Sequence, residues 1–264
     1  YTITYQICEI LNPTNCDTAV VTVPVSAATI VANDDTMPST IGMVGNANLG
    51  NVLPNNGNGP DTLNGTPLAN LALVTMTVTN PATPIGGGLV PSLDTTTGIV
   101  SVPVGTPAGT YTITYQICQI LNPTNCDTAI VTIPVSAAAI VANDDAGSQI
   151  NSITGGTAFT NVLVNDTLNG SPVVPSQVIT TFVSSTNPGI TLSGTDVLVA
   201  AGTPAGNYTL TYQICEVLNP TNCDTAIVTV PVYTPSIQLL KNGTYSDSSL
   251  PNGANVGDTI VYNF

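Results

Sequence analysis

Histidine, arginine and tryptophan are absent from this chain of 264 residues, and lysine occurs once, as Lys241. Each absence excludes a class of chemistry. Without histidine there is no Ser-His-Asp or Cys-His pair and no histidine-containing zinc site, and one lysine cannot serve equivalent sites in a chain that repeats itself. Fifteen acidic residues leave a net charge of -14, which excludes nucleic acid as a partner, because affinity for a phosphate backbone comes from clustered Lys and Arg. No apolar run approaches the roughly 18 residues of a spanning helix, so no membrane insertion is expected of this segment. Lys-Asn isopeptide cross-links cannot form within residues 28–233, which contain no lysine. With no tryptophan, and many of the tyrosines in hairpin strands, no face for stacking sugars is legible. The carboxylates form no paired set beside an implied substrate cleft. No enzyme is expected, and no cofactor is required.

What the chain does contain is one sentence written three times. "YTITYQICEILNPTNCDTAVVTVPV" opens at Tyr1 and returns at Tyr111 and Tyr208; residues 1–35 match 111–145 at 31 of 35 positions, and 208–232 match the first 25 at 22. The spacings, 110 and 97 residues, are domain lengths, so the chain reads as a string of similar domains. "GTPAG" precedes the second and third copies but nothing precedes Tyr1. Residues 1–27 are therefore expected to be the closing hairpin of an incomplete repeat. Complete repeats are expected at 28–137 and 138–234.

Within the repeated stretch the parity is that of half-buried strands. Tyr1, Ile3, Tyr5 and Ile7 share one face, and Thr2, Thr4, Gln6 and Cys8 the other. Ala19, Val21, Val23 and Val25 likewise oppose Cys16, Thr18, Val20, Thr22 and Pro24. If the two strands pair around "EILNPTN", the cysteines meet on the outer face at the base of the loop. The expected disulfides are Cys8–Cys16, Cys118–Cys126 and Cys215–Cys223, and disulfides in every repeat imply an oxidising, extracellular setting. Pro24, Pro134 and Pro231 remove a ladder N–H from the last strand, which is expected to be an edge or to carry a bulge.

Short strand patterns separated by Gly, Pro and Asn fill the rest: "ATIVA", "NLGNVL", "LALVTMTVT", "GLVPSL" and "GIVSVPV" in the second repeat. About seven strands in about 108 residues, with no helical periodicity, describe an all-β chain of tandem immunoglobulin-like β-sandwich repeats in an elongated string. The third repeat lacks the insertion "NNGNGP" near Asn55, which is expected to be a surface loop.

"VANDD" at 31–35 and 141–145, "NVLVNDTLNG" at 161–170 and the Tyr-rich closing hairpin resemble the cadherin-like and immunoglobulin-like tandem repeats of very large bacterial surface adhesins and fibril proteins. The tail, with Lys241 and then "VGDTIVYNF", resembles the first strands of another bacterial surface repeat, at 235–264. The resemblance implies a stalk or fibre at the cell surface or in a secreted filament. Its partners would be neighbouring repeats or copies of the same protein. The alternative is an adhesin module recognising a surface glycan or protein of a host or another cell.

Two sets of candidate sites follow. Asn33, Asp34 and Asp35, and Asn143, Asp144 and Asp145, fall where one repeat hands over to the next, and Asn165 and Asp166 lie in a loop that can approach the same end. Calcium takes six to eight oxygens from such groups, so Ca²⁺ at the repeat junctions is the expectation, against the plainer reading that Asn and Asp make turns. In the second repeat Asn55 and Asn56 stand where Asp166 would be matched, and Asp61 is displaced by the insertion. Eight of the thirteen aspartates precede threonine, and each triplet resembles a bacterial O-glycosylation consensus. The expected acceptors are Thr18, Thr36, Thr62, Thr95, Thr128, Thr167, Thr225 and Thr259. The truncated ends are expected either to be completed by flanking chain, the favoured reading, or by strand addition between copies.

Overall fold

In a computed structural model that describes residues 1–54, 56–237, 242–246 and 259–263, the regular secondary structure is almost wholly strand. Asn55, Lys241 and most of the tail at 235–264 lie outside the described residues. The sole helix among them is a single 3-10 turn, Pro175–Gln177, and none is long and apolar enough to cross a membrane. The chain divides into two compact units, one of residues 1–140 with 168–170 and 215–223, the other of 141–167, 171–214 and 224–264.

The first hairpin pairs β1 (Thr2–Cys8) with β2 (Cys16–Thr22). The second repeat follows as β3 (Ile30–Val31), β4 (Asp35–Thr36), β5 (Thr40–Ile41), β6 (Asn46–Asn51), β7 (Thr62–Leu63), β8 (Thr66–Pro67), β9 (Val74–Asn80), β10 (Ser92–Leu93), β11 (Ile99–Val102), β12 (Gly109–Gln119) and β13 (Asn122–Ser136). One sheet runs β4-β13-β12-β9 with β5 also on β13, a second runs β10-β11-β6, and a small third runs β3-β7-β8. The third repeat gives β14 (Ile140–Val141), β15 (Asp145–Ala146), β16 (Ile150–Asn151), β17 (Gly156–Phe159), β18 (Thr167–Leu168), β19 (Ser171–Pro172), β20 (Val178–Ser185), β21 (Ile190–Ser193), β22 (Asp196–Val199), β23 (Gly206–Glu216) and β24 (Cys223–Tyr233). Its sheets repeat the same plan: β15-β24-β23-β20 with β16 on β24, then β17-β22-β21, then β14-β18-β19. A last hairpin joins β25 (Asn242–Ser246) to β26 (Thr259–Asn263).

The parity of the closing hairpin sets the core. Tyr111, Ile113, Tyr115 and Ile117 of β12 are buried, as are Ala129, Val131, Ile133 and Val135 of β13. Each large side chain so buried contributes roughly 1.5–3 kcal/mol. They pack against Val100 and Val102 of β11 and Leu49 of β6. Leu210, Tyr212 and Ile214, with Ala226, Val228, Val230 and Val232, do the same in the third repeat. In the first hairpin the same positions are exposed, Ile3 at 58% and Ile7 at 67%.

All three disulfides form, with Cα atoms 4.0–4.1 Å apart, and Cys8–Cys16 and Cys118–Cys126 join directly opposed residues. The last strand differs from expectation in being internal. β13 lies between β12 and the parallel pair β4/β5, and Pro134 falls where that neighbour breaks. Val131 and Thr132 pair with Asp35 and Thr36, whereas Val135 and Ser136 pair with Thr40 and Ile41. One extra residue in the neighbour accommodates the N–H that proline lacks. Pro231 occupies the same place between β15 and β16.

Candidate functional site

The Asn-Asp-Asp segments open each repeat and are fastened to its closing hairpin. In the second repeat the Ala32 amide donates to Asp127 Oδ2 at 2.9 Å and the Ile130 amide to Asp34 Oδ1 at 2.8 Å. The Asn33 amide donates to Asp61 Oδ1 and its Nδ2 to the Pro60 carbonyl. The third repeat reproduces each contact: Ala142 amide to Asp224 Oδ2, Ile227 amide to Asp144 Oδ1, Asn143 amide to Asp166 Oδ1, and Asn143 Nδ2 to the Asn165 carbonyl. Carboxylates on backbone amides are charge-assisted bonds, about twice as strong as neutral ones. Asp127 and Asp224 also accept from the next residue's own amide, that of Thr128 and Thr225.

Beneath this segment lies a buried tyrosine between carboxylates. The Tyr115 hydroxyl is 3.0 Å from Asp35 Oδ2, 3.1 Å from Asp61 Oδ2 and 3.2 Å from the Asn33 carbonyl. The Tyr212 hydroxyl is 3.1 Å from both oxygens of Asp166, 3.0 Å from the Val162 carbonyl and 3.2 Å from that of Asn143. One O–H hydrogen is thus shared among three or four acceptors. Burial holds both phenols far above their ordinary range, so they remain donors. It also raises Asp35, Asp61 and Asp145 to about 6, and Asp166 in the same direction, against the opposing hydrogen bonds they accept. Asp145 Oδ2 is buried with no hydrogen-bond partner. The hydrogen that each cluster is short of arrives when a carboxyl takes up a proton.

Asp61 therefore plays the part of Asp166 despite the insertion before it. Its amide donates to the Leu53 carbonyl as that of Asp166 does to Leu163. Asn56 donates instead to Asp35 Oδ1. Tyr115, Tyr212, Asp61, Asp127 and Asp224 are not among the expected site residues; the tyrosines, Asp127 and Asp224 recur at matching places of the repeated hairpin, whereas the insertion before Asp61 hides its match to Asp166.

The residues do not fit a calcium cage in this arrangement. Asp34 and Asp144 hold β-strand amides, Asn33 and Asn143 turn their side-chain donors to carbonyls, and Asn165 Nδ2 donates to the Asp144 carbonyl. Of the expected set, Asp35, Asp145 and Asp166 face the buried clusters, where Asp35 is joined by Asp61 and Asp145 by Asp166, with a tyrosine hydroxyl beside each pair. Among the described residues no three His, Cys, Asp or Glu side chains are grouped as a metal site needs. Of the expected glycan acceptors, Thr18, Thr36, Thr128, Thr225 and Thr259 are exposed, while Thr62, Thr95 and Thr167 are half-buried.

No protein-family model and no curated protein matches the sequence. Solved structures with a similar trace include extracellular cadherin domains 3–6 of protocadherin gamma B2 (10% identity, 83% of this chain and 55% of that one, TM-score 0.31). Others are the human desmocollin-1 ectodomain (11%, 85% and 46%, 0.31) and mouse cadherin-23 domains 22–24 (14%, 89% and 74%, 0.31). The chain thus spans about half the length of the protocadherin fragment.

Proposed function

We propose that this chain is a non-catalytic structural segment of a bacterial extracellular stalk or fibre, made of repeats at 28–137 and 138–234 between partial ones at 1–27 and 235–264. The observation that carries the reading is what the two full repeats share: disulfide, buried tyrosine, carboxylate contacts and sheet order recur position by position, so what is duplicated is a scaffold. Three local disulfides support an extracellular location. Neighbouring repeats and copies of the same protein are its proposed partners. The exposed threonines Thr18, Thr36, Thr128, Thr225 and Thr259 are its proposed glycan acceptors. A binding screen of the whole chain against glycan and protein arrays tests the assignment. A passive spacer gives no saturable signal; a saturable ligand with a defined epitope in 28–234 would replace the stalk by a ligand-binding adhesin module.

A further inference from the structure

We infer that each repeat is built to carry tension, with its opening segment acting as a shear clamp on its closing strand; this deepens the stalk reading and rests on it. Two strands bound side by side resist force differently according to direction. Pulled apart at one end, the bonds between them break one after another. Drawn past each other along their length, they load together.

The second repeat places its chain ends for the second case. The chain enters beside the tip of the closing hairpin, where Asn125 Nδ2 donates to the Ala28 carbonyl. It then runs parallel to β13 through β4 and β5 and leaves from Ser136, at the far end of the same pairing. Tension between residues 28 and 137 therefore slides β4 and β5 against β13. The bonds crossing that seam are spread over its length: Ala32 amide to Asp127, Ile130 amide to Asp34, Met37 amide to the Thr132 carbonyl, and Gly42 amide to the Ser136 carbonyl, all between 2.8 and 3.0 Å. The third repeat has the same series, with Ala142 to Asp224, Ile227 to Asp144, Gly147 to the Thr229 carbonyl and Ser152 to the Tyr233 carbonyl, at 2.8–2.9 Å. The two carboxylate bonds in each seam run in opposite senses, one donor on the opening segment and one on the closing strand. Sliding in either direction must break both. The tyrosine hydroxyl adds a tie from the first hairpin strand, β12 or β23, Tyr115 to the Asn33 carbonyl and Tyr212 to that of Asn143. The carboxylates that the sequence offered as calcium ligands or glycosylation signals thus work as fasteners.

Single-molecule pulling of the full chain tests this, because forced unfolding is governed by the unfolding rate under load. With handles at the two chain ends, rupture of the second repeat is expected to need severalfold more force than with handles at Ser26 and Thr124, both exposed and both at the hairpin-tip end, where the seam opens bond by bond. Asp34→Ala combined with Asp144→Ala is expected to shorten the lifetime of both repeats under end-to-end load about tenfold. Val100→Ala with Val197→Ala, fully buried positions in β11 and β22, is expected to lower chemical stability comparably with a smaller loss of lifetime under load. Equal rupture forces in the two pulling geometries, or lifetimes that follow chemical stability wherever the substitution lies, would overturn the clamp. Neither outcome decides the binding screen, so failure of the clamp and failure of the stalk assignment are separable. If the aspartate variant does not fold, the two geometries on the unaltered chain decide.

Discussion

At the scale of single residues, the buried carboxylates make stability depend on acidity in an unusual sense. Asp35, Asp61 and Asp145 have folded pKa values near 6, above the ordinary carboxylate value of 3.8. The folded state therefore binds protons more tightly than the unfolded chain, and the stabilisation from protonation is complete below pH 3.8 and is lost as pH rises through about 6. Urea unfolding is expected to give a higher midpoint at pH 5 than at pH 7.5, with a difference on the order of 1–2 kcal/mol per repeat. Asp61→Asn with Asp166→Asn, which removes one charge from each cluster, is expected to flatten that dependence. A midpoint that falls steadily between pH 7.5 and 5 would show that the clusters hold no extra proton. None of this was legible in the sequence, where Asp61 and Asp166 sit in loops of different length and only the fold brings them to equivalent tyrosines.

At the scale of elements, the closing hairpin was readable almost to the residue. Alternation placed Ile113, Tyr115 and Ile117 inward and the cysteines outward, and the structure has them so. Each disulfide closes a loop of seven residues, so Cys118→Ser with Cys126→Ser is expected to lower stability by roughly 2–3 kcal/mol without altering the sheet order. Calorimetry of that variant checks the loss, and an unchanged melting temperature would mean that the hairpin is held by its packing alone. The short strands were less legible. β4 and β5 are two residues each, too short for any period, and their pairing with β13 runs parallel across nearly a hundred residues of chain. The hairpins β7–β8 and β18–β19 did carry a local signal that went unused. Their Asn64-Gly65 and Asn169-Gly170 turns have φ of 51° and 72°, and 52° and 72°, the positive pair that favours Asn-Gly.

At the scale of the whole molecule, the net charge of -14 and the exposed threonines bear on the proposed stalk. Asp127 and Asp224 explain why Asp-Thr recurs at the hairpins without reference to sugar, since each fastens the opening segment. The threonines that follow them, Thr128 and Thr225, still face solvent. Peptide mapping of natively secreted protein is expected to show peptides spanning Thr18, Thr36, Thr128, Thr225 or Thr259 that exceed their bare sequence mass by whole hexose or deoxyhexose increments. Peptide masses equal to those of the bare sequence at all five threonines would leave the aspartates with their fastening role alone.

What the sequence determined was whatever depends on neighbours along the chain: strand parity, the disulfide partners eight positions apart, the repeat itself, and the chemistry excluded by missing histidine and arginine. Parity is local because side chains alternate with every residue. What only the tertiary structure decided was everything set by contacts between distant segments. Pro134 and Pro231 proved compatible with an internal strand because the neighbouring strand breaks beside them. The Asn-Asp-Asp segments carry a seam of backbone bonds, with the amides of Ile130 and Ile227 donating to Asp34 and Asp144. A carboxylate is equally suited to a cation, a turn or a distant amide, and which of these it meets is fixed by the packing of strands that the sequence alone does not align.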